Sequence, residues 1–347
     1  MADLNIKSTF LLLSLLALGV PALGQDSQTV IPGAPGAAGG RSGGGLPKPT
    51  DGASFRSLVQ AALNGCYVVN LDGTTQITAS STINLTAKDC GSNPTGVKAN
   101  GLTINSTITN GSDVIKIGTI AGGNGNRSLV FEGLHVYGGG FDGKVSGNCI
   151  NVNIPRGGQA IYKFTLRDLW LDFCGKNGLN LEGDVYEGTV WNVQSENHGG
   201  SGVRLAHGSD GGVLSNVFFY APNVSRNQRY GIESANGASS IHLQFPSMIN
   251  NWLGGGYFPN GVRNVIGGNC ENTGLVCMDV ASSDFQTRIV GLETSTDCAT
   301  KGPGGGSQPT KYLYRYGGDA AKMKQSDNVI VPYGTAANCT GVALRAP

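Results

Sequence analysis

The chain is poor in charge. Only 14% of its 347 residues are Asp, Glu, Lys or Arg, and 24 basic side chains stand against 23 acidic ones, where an average globular protein carries about 25% charged residues. A formal net charge of +1 gives no pull toward nucleic acid or an anionic membrane, which removes both as expected partners. Long apolar runs are missing too: FLLLSLLAL at 10–18 falls short of the roughly 20 residues a bilayer span needs, and no later stretch comes close. There is no Cys-x-x-Cys pair, which removes zinc knuckles and thioredoxin-type redox sites. Glycine never settles into every third position, so collagen is excluded although Gly is abundant at 56 residues. With 39% hydrophobic residues the chain has enough apolar surface to collapse. The composition describes a turn-rich, all-β protein.

Lys7, the apolar run and the small-x-small site Ala22-Leu23-Gly24 make residues 1–24 a secretory signal. The expected compartment is therefore secreted or periplasmic. All eight cysteines follow that segment, an even number suited to disulfides in an exported chain. The expected pairs at the two ends of the fold are Cys66 with Cys90 and Cys298 with Cys339. Residues 25–50 read as a flexible linker rich in Gly and Pro.

From Ala53 to Asn64 the apolar residues Phe55, Leu58, Val59, Ala62 and Leu63 keep a helical spacing, with Ser54 as N-cap. Beyond it, short β-branched runs alternate with Gly, Asn and Asp clusters. Segments 168–181, 192–205 and 264–277 align without gaps on one frame, ending in Gly-apolar-x-apolar. Spacings near two dozen residues, with two short strands per unit, predict a β-solenoid whose coils stack and hydrogen-bond along an axis. In that frame Asn197 aligns with Asn269, and with Asn251 in a weaker copy, predicting an asparagine ladder at a left-handed corner.

The segment 51–85, with a helix ending in Gln60-Ala61-Ala62 and then a strand, a Gly turn and a first coil, resembles the N-terminal cap of the pectate-lyase-like superfamily. It departs from the pattern where Ser54-Phe55 replace a paired Asp and Leu71-Asp72-Gly73 replace a Pro-Ala-Gly turn. The resemblance implies an all-β, right-handed parallel β-helix with one N-terminal capping helix over residues 51–300, and 301–347 as its C-terminal strands or cap. The superfamily holds lyases, hydrolases, epimerases, tailspikes and adhesins, so the fold leaves the activity open.

Strand alternation places Lys116, Asn151, Asn180, Arg204 and Glu233 in one outward column, with Glu182 and His207 just past strand ends and Lys176 and Arg229 just before. By resemblance this strand lines the substrate groove. Arg204, Glu233 and Glu182 are the candidate catalytic residues, either with Arg204 neutralising a uronate carboxylate and helping to abstract the C5 proton or with Glu182 and Glu233 as an acid/base pair. Lys176, Asn180, His207 and Arg229 are the candidate substrate-binding residues. The plainer alternative is a surface ion pair between Arg204 and Glu233. A second exposed strand carries His135 and Tyr137, then Asp168, Trp170 and Asp172, then Asn192, Gln194 and Glu196, then Phe218 and Tyr220; Asp172 and Glu196 share a register position, as a carboxylate pair would. His198 reads as a solvent-exposed turn residue. Polygalacturonase-like and mannuronan-epimerase acid motifs are missing, and no clustered Asp set suggests calcium or another cofactor. The segment 138–144 reads as a turn, not a phosphate loop. Two functions stand: a lyase or hydrolase acting on an extracellular, uronic-acid or other, polysaccharide, and a non-catalytic carbohydrate-binding or adhesion solenoid. The sequence leaves the oligomeric state open.

Overall fold

Apolar residues recur at alternate positions in short strands, and each strand finds its hydrogen-bonding partner one coil away instead of in a hairpin. In the computed structural model the strand Leu179–Gly183 pairs in parallel with Ile150–Ile154 on one side and Val203–Ala206 on the other. The same stacking repeats through Tyr230–Ala235, Gly254–Phe258, Leu275–Ala281 and Ser307–Gly317. Parallel neighbours joined by crossovers through other strands close into a right-handed parallel β-helix. The structure describes residues 46–119, 126–140, 145–235, 237–259, 262–281, 288–295, 299–301, 307–317, 329–330, 333–335 and 343–345. These lie in one unit, Gly43–Pro347. The signal segment, nearly all of the linker, and Cys298 and Cys339 lie outside them.

Each central coil turns four times. A first strand run stacks Ile161–Tyr162 under Val185–Tyr186 and Leu214. A second aligns Arg167, Trp191, Tyr220, Gln244, Ile266 and Val290. A third aligns Asp172, Glu196, Ser225, Ile249 and Glu271. The fourth run is the 11-stranded sheet described above. Between runs the backbone turns at stacked left-handed residues, such as Lys163, Glu187, Asn216 and Ser240 at the first corner, with φ of 51°, 53°, 57° and 53°. Phe173, Asn197, Arg226, Asn250 and Asn272 stack at the third corner, with φ from 46° to 58°. Asn tolerates this region best among residues with a side chain, and Asn192, Asn197, Asn216, Asn250 and Asn272 all adopt it.

The corner register corrects the predicted ladder. Asn197 sits at the third corner, but its equivalents are Asn250 and Asn272; Asn269 lies three residues earlier, in a strand opposite Ser247. The gap-free alignment slipped by three residues because the coil from Glu196 to Ser225 is long, which sets the equivalent of Glu196 at Glu271 and that of Asn197 at Asn272. The asparagine ladder is real but lies one residue further on and points inward. Asn227 donates through Nδ2 to Asn251 Oδ1 at 2.9 Å, and Asn251 donates through Nδ2 to the Val224 carbonyl at 3.0 Å. His198 is the next rung and is fully buried, not exposed in a turn. Its backbone N–H donates to Asn227 Oδ1 at 3.1 Å. Its Nδ1 accepts from the Cys174 N–H at 3.1 Å, which leaves the ring proton on Nε2, facing Ser195 Oγ at 3.0 Å. Burial holds this imidazole neutral, with its pKa lowered to about 3. Glycine makes room for the ladder: a Cβ on Gly178 would meet Ser195 Oγ at 1.9 Å and one on Gly202 would meet Asn227 Nδ2 at 2.8 Å.

The helix spans Gly52–Gly65 and closes the N-terminal end of the core, burying Phe55, Val59, Ala62 and Leu63. Its N-cap is Asp51, not Ser54. Ser54 is the third helical residue and completes a capping box, its N–H donating to Asp51 Oδ1 at 2.7 Å. Disulfides join Cys66 to Cys90, as expected, and also Cys149 to Cys174 and Cys270 to Cys277. No helix among the described residues is long and apolar enough to cross a membrane.

Candidate functional site

The predicted outward column is in register: Lys116, Asn151, Asn180, Arg204 and Glu233 follow one another on successive coils, and Tyr257 and Asp279 continue the column. A second column three residues earlier, Asp113, Asn148, Asn177 and Ser201, joins it. Asp113 Oδ1 accepts from Asn148 Nδ2 at 2.7 Å and its Oδ2 from Asn151 Nδ2 at 2.6 Å. Asn177 Nδ2 then donates to Asn148 Oδ1 at 2.9 Å, and Asn180 Nδ2 to Asn151 Oδ1 at 2.9 Å. Dense mutual bonding leaves Asn151, Asn180 and Glu233 buried although they face outward.

The charges on this ladder face pair differently from the expected Arg204–Glu233 contact. Arg204 Nη1 donates to Glu182 Oε2 at 2.8 Å and to Asn180 Oδ1 at 2.9 Å. Glu233 accepts instead from Arg229 Nη2 at 2.8 Å and from Ser201 Oγ. The reason is reach: Glu182 lies two residues along the neighbouring strand from Asn180, and Arg229 precedes Glu233 by four residues across the turn. The structure thus gathers Arg204, Glu182 and Asn180 into one cluster and Glu233 and Arg229 into another. His207 stands apart, its Nε2 3.2 Å from the Leu214 carbonyl, and Lys176 is exposed in a turn. The strand Ser307–Gly317 stacks on Leu275–Ala281 as a further rung of this sheet. The ladder partners Asn148 and Asn177 were visible in sequence as the repeated Asn-x-x-Asn of 148–151 and 177–180.

On the third run, Asp172 and Glu196 are direct partners on neighbouring strands, which run about 4.8 Å apart. Asp172 is half-buried. Desolvation raises its pKa to about 6, the nearby Glu196 charge adds to the rise, and an Asn197 hydrogen bond and the Arg226 charge oppose it. Asn197 Nδ2 donates to Asp172 Oδ1 at 3.0 Å, and Gln194 Nε2 donates to Glu196 Oε1. Beside the pair runs the column His135, Trp170, Gln194 and Asn223. Trp170 is 45% exposed and stacks on His135 with ring centres 4.5 Å apart. His135 Nε2 and Asn223 Oδ1 are buried with no hydrogen-bond partner, one coil before and one coil after the acid pair. Phe218 and Tyr220 belong to the second run, opposite Thr189 and Trp191, so they do not continue the acid-pair strand as the sequence suggested. The coil that leads to them, from Trp191 to Tyr220, is longer than the one before it, from Arg167 to Trp191, and the ungapped frame missed the difference.

Cys149, Cys174 and His198 offer ligand atoms within 4.8 Å of one another. The two thiols are joined as a disulfide and both ring nitrogens are engaged, so this cluster is an interior brace.

The parallel coils and the N-terminal helix define a right-handed parallel β-helix. No protein-family model matches the chain and no curated protein matches it. Solved structures similar to it include ORF18 of Geobacillus virus E2, at 13% identity and TM-score 0.49 over 88% of this chain and 58% of that one. The mannuronan C-5 epimerase AlgE4 A-module of Azotobacter vinelandii gives 14% identity and TM-score 0.42 over 85% and 98%. The enzymatically active domain of bacteriophage CBA120 tailspike protein 2 gives 11% and 0.45 over 79% and 44%. This chain therefore spans 58% of the ORF18 chain and 44% of the tailspike one.

Proposed function

We propose that this is an exported, carbohydrate-active β-helix that hydrolyses an extracellular polysaccharide, with Asp172 and Glu196 as its acid/base pair. The observation that carries the reading is the in-register placement of the two carboxylates on adjacent coils, beside an exposed tryptophan. A carboxyl raised to about 6 retains a share of its proton near neutrality and can protonate a glycosidic oxygen, while its partner acts on the sugar as an anion. The spacing of one coil is close to the roughly 5 Å of retaining glycosidases. Three disulfides suit an oxidising compartment.

A second reading keeps the chemistry on the ladder face. The Arg204 side chain is 25% exposed, within reach of a uronate carboxylate, with Lys176 and Arg229 as further cations and Glu182 or Glu233 taking the C5 proton. One assay separates these readings from a pure binder. The mature protein is offered a panel of neutral and acidic polysaccharides, and reducing ends and unsaturated products are measured for the wild type, Asp172→Asn and Arg204→Ala. Loss of reducing ends in Asp172→Asn supports the acid pair. Unsaturated products lost in Arg204→Ala replace it with the ladder face, and retained glycan without any product leaves a binding solenoid.

A further inference from the structure

Across the second corner from the acid pair lies another aromatic pair that the proposed reaction does not use. Trp191 and Tyr220 are partners on neighbouring strands of the second run. Their ring centres are 5.0 Å apart at an interplanar angle of 26°. Rings in contact separate by about 3.5–4.0 Å along their normal, so a larger centre-to-centre distance means that they overlap like shingles and each leaves part of a face uncovered. Trp191 is 48% exposed. The same arrangement holds for His135 and Trp170 on the other side of the corner.

We infer that the Trp191–Tyr220 pair is a second carbohydrate-binding platform, which holds hexopyranose units of the polymer away from the acid pair. The ligand is identified by three features. The aromatic pair is flanked along its column by polar residues, Arg167 before Trp191 and Gln244 after Tyr220, which separate it from the apolar Ile266 and Val290 further on. Two aromatic rings present at most about 300–500 Å², well under the roughly 800 Å² per partner of a stable protein interface, so a small repeating ligand fits better than a second copy. Hydrogen-bonding groups rim the platform: Asn192 Nδ2 donates to Asp168 Oδ1 at 2.7 Å, and Arg167 Nε to Asp168 Oδ2 at 3.1 Å, all three side chains being exposed. An apolar face with a polar rim matches a pyranose, with its C–H face and hydroxyl edge. No carboxylate other than Asp168 lies in this set, and Arg167 already neutralises it.

The inference rests on the same reading of the protein as carbohydrate-active, but not on the acid pair. The test is affinity electrophoresis of the mature protein in gels containing soluble neutral or acidic polysaccharides, with sedimentation to follow oligomeric state. Trp191→Ala is expected to weaken retardation by about tenfold, Trp191→Tyr to retain most of it, and Tyr67→Ala, at another exposed aromatic, to behave as wild type. Retardation unmoved by Trp191→Ala, no retardation of the wild type by any polymer, or a change of oligomeric state in Trp191→Ala would each overturn it. If Trp191→Ala weakens retardation while Asp172→Asn still releases product, the acid-pair reading fails and the platform stands; the reverse pattern removes the platform alone.

Discussion

On the ladder face, Glu182 accepts from Arg204 at 2.8 Å and Glu233 from Arg229 at 2.8 Å. On the acid-pair face, Asp172 accepts from neutral donors, the Asn197 amide at 3.0 Å and the Phe173 backbone N–H, and stands opposite a second carboxylate. The two faces belong to the same coils and are separated by one left-handed corner, so strand spacing and register are shared. What differs is the partner that each register position brings. A carboxylate bonded to arginine has its oxygens occupied, and the network around it spends its chemistry on cohesion. A carboxyl desolvated beside a like charge keeps its proton into the range where general acids work. The contrast teaches that charge density does not by itself single out a carboxyl that keeps its proton; the lack of a directly bonded counter-charge does.

The largest expected effect tests that contrast directly. Asp172→Asn removes the proton donor and is expected to lower turnover by about 10²- to 10⁴-fold, measured as reducing ends released. If Arg204→Ala produces the larger loss, the comparison is reversed and the ladder face is the reactive one.

The next breaks the corner on which both faces depend. Gly178→Ala would drive a Cβ to 1.9 Å from Ser195 Oγ and 2.4 Å from His198 Nε2. Overpacking of this kind, in a rigid polar ladder, is expected to cost about 3 kcal/mol or more, seen as a lower urea midpoint. Full stability in this variant would mean that the ladder yields more easily than its hydrogen bonds suggest.

Arg204→Ala sharpens the structural side of the comparison. It strips Glu182 and Asn180 of their shared donor. Because the pair is partly exposed, a loss of about 1–2 kcal/mol is expected, and it should shrink as salt is added.

The smallest effect has the opposite sign. The folded state raises the Asp172 pKa from 3.8 to about 6, so between those values the native protein binds more protons than the unfolded chain. Stability therefore falls as pH rises through that window. Asp172→Asn carries no such penalty and is expected to be more stable than wild type by about 1 kcal/mol above pH 6, discounted for solvent screening of a half-exposed group. The gain should vanish below pH 4. Thermal melting across pH 3–8 reads both the sign and the window, and a gain that persists at low pH would assign the effect to packing.

Much of the fold could be read from the residues because a solenoid repeats its local rules. The Gly-apolar-x-apolar strands, the helix from the first apolar stripe and the outward column from Lys116 to Glu233 all follow from alternation and period. The errors arose where coils differ in length. Asn269 was aligned with Asn197, and Phe218 and Tyr220 with the acid-pair strand, because an ungapped frame cannot see a coil of 29 residues between Glu196 and Ser225 or one of 22 between Ile249 and Glu271. His198 was misjudged for another reason. Its turn looks polar in sequence, and only the column of inward rungs shows that the side chain points into the core. The Arg204–Glu233 pair was expected from adjacency, but the side chains had nearer partners diagonally and within their own turn.

The sequence by itself determined a β-helix: low charge, abundant glycine and asparagine, and a two-dozen-residue period are what stacked coils require, since each coil must turn at left-handed corners and bond to its neighbours without ionic clutter. Only the tertiary structure decided which outward residues are spent and which are poised. That outcome depends on side chains one coil apart, whose separation is set by register and coil length and not by distance along the chain. Asp172 and Asp113 are both aspartates near strand ends, and what distinguishes them is what the next coil delivers: two side-chain amides, one to each oxygen, for Asp113, and one amide beside a second carboxylate for Asp172.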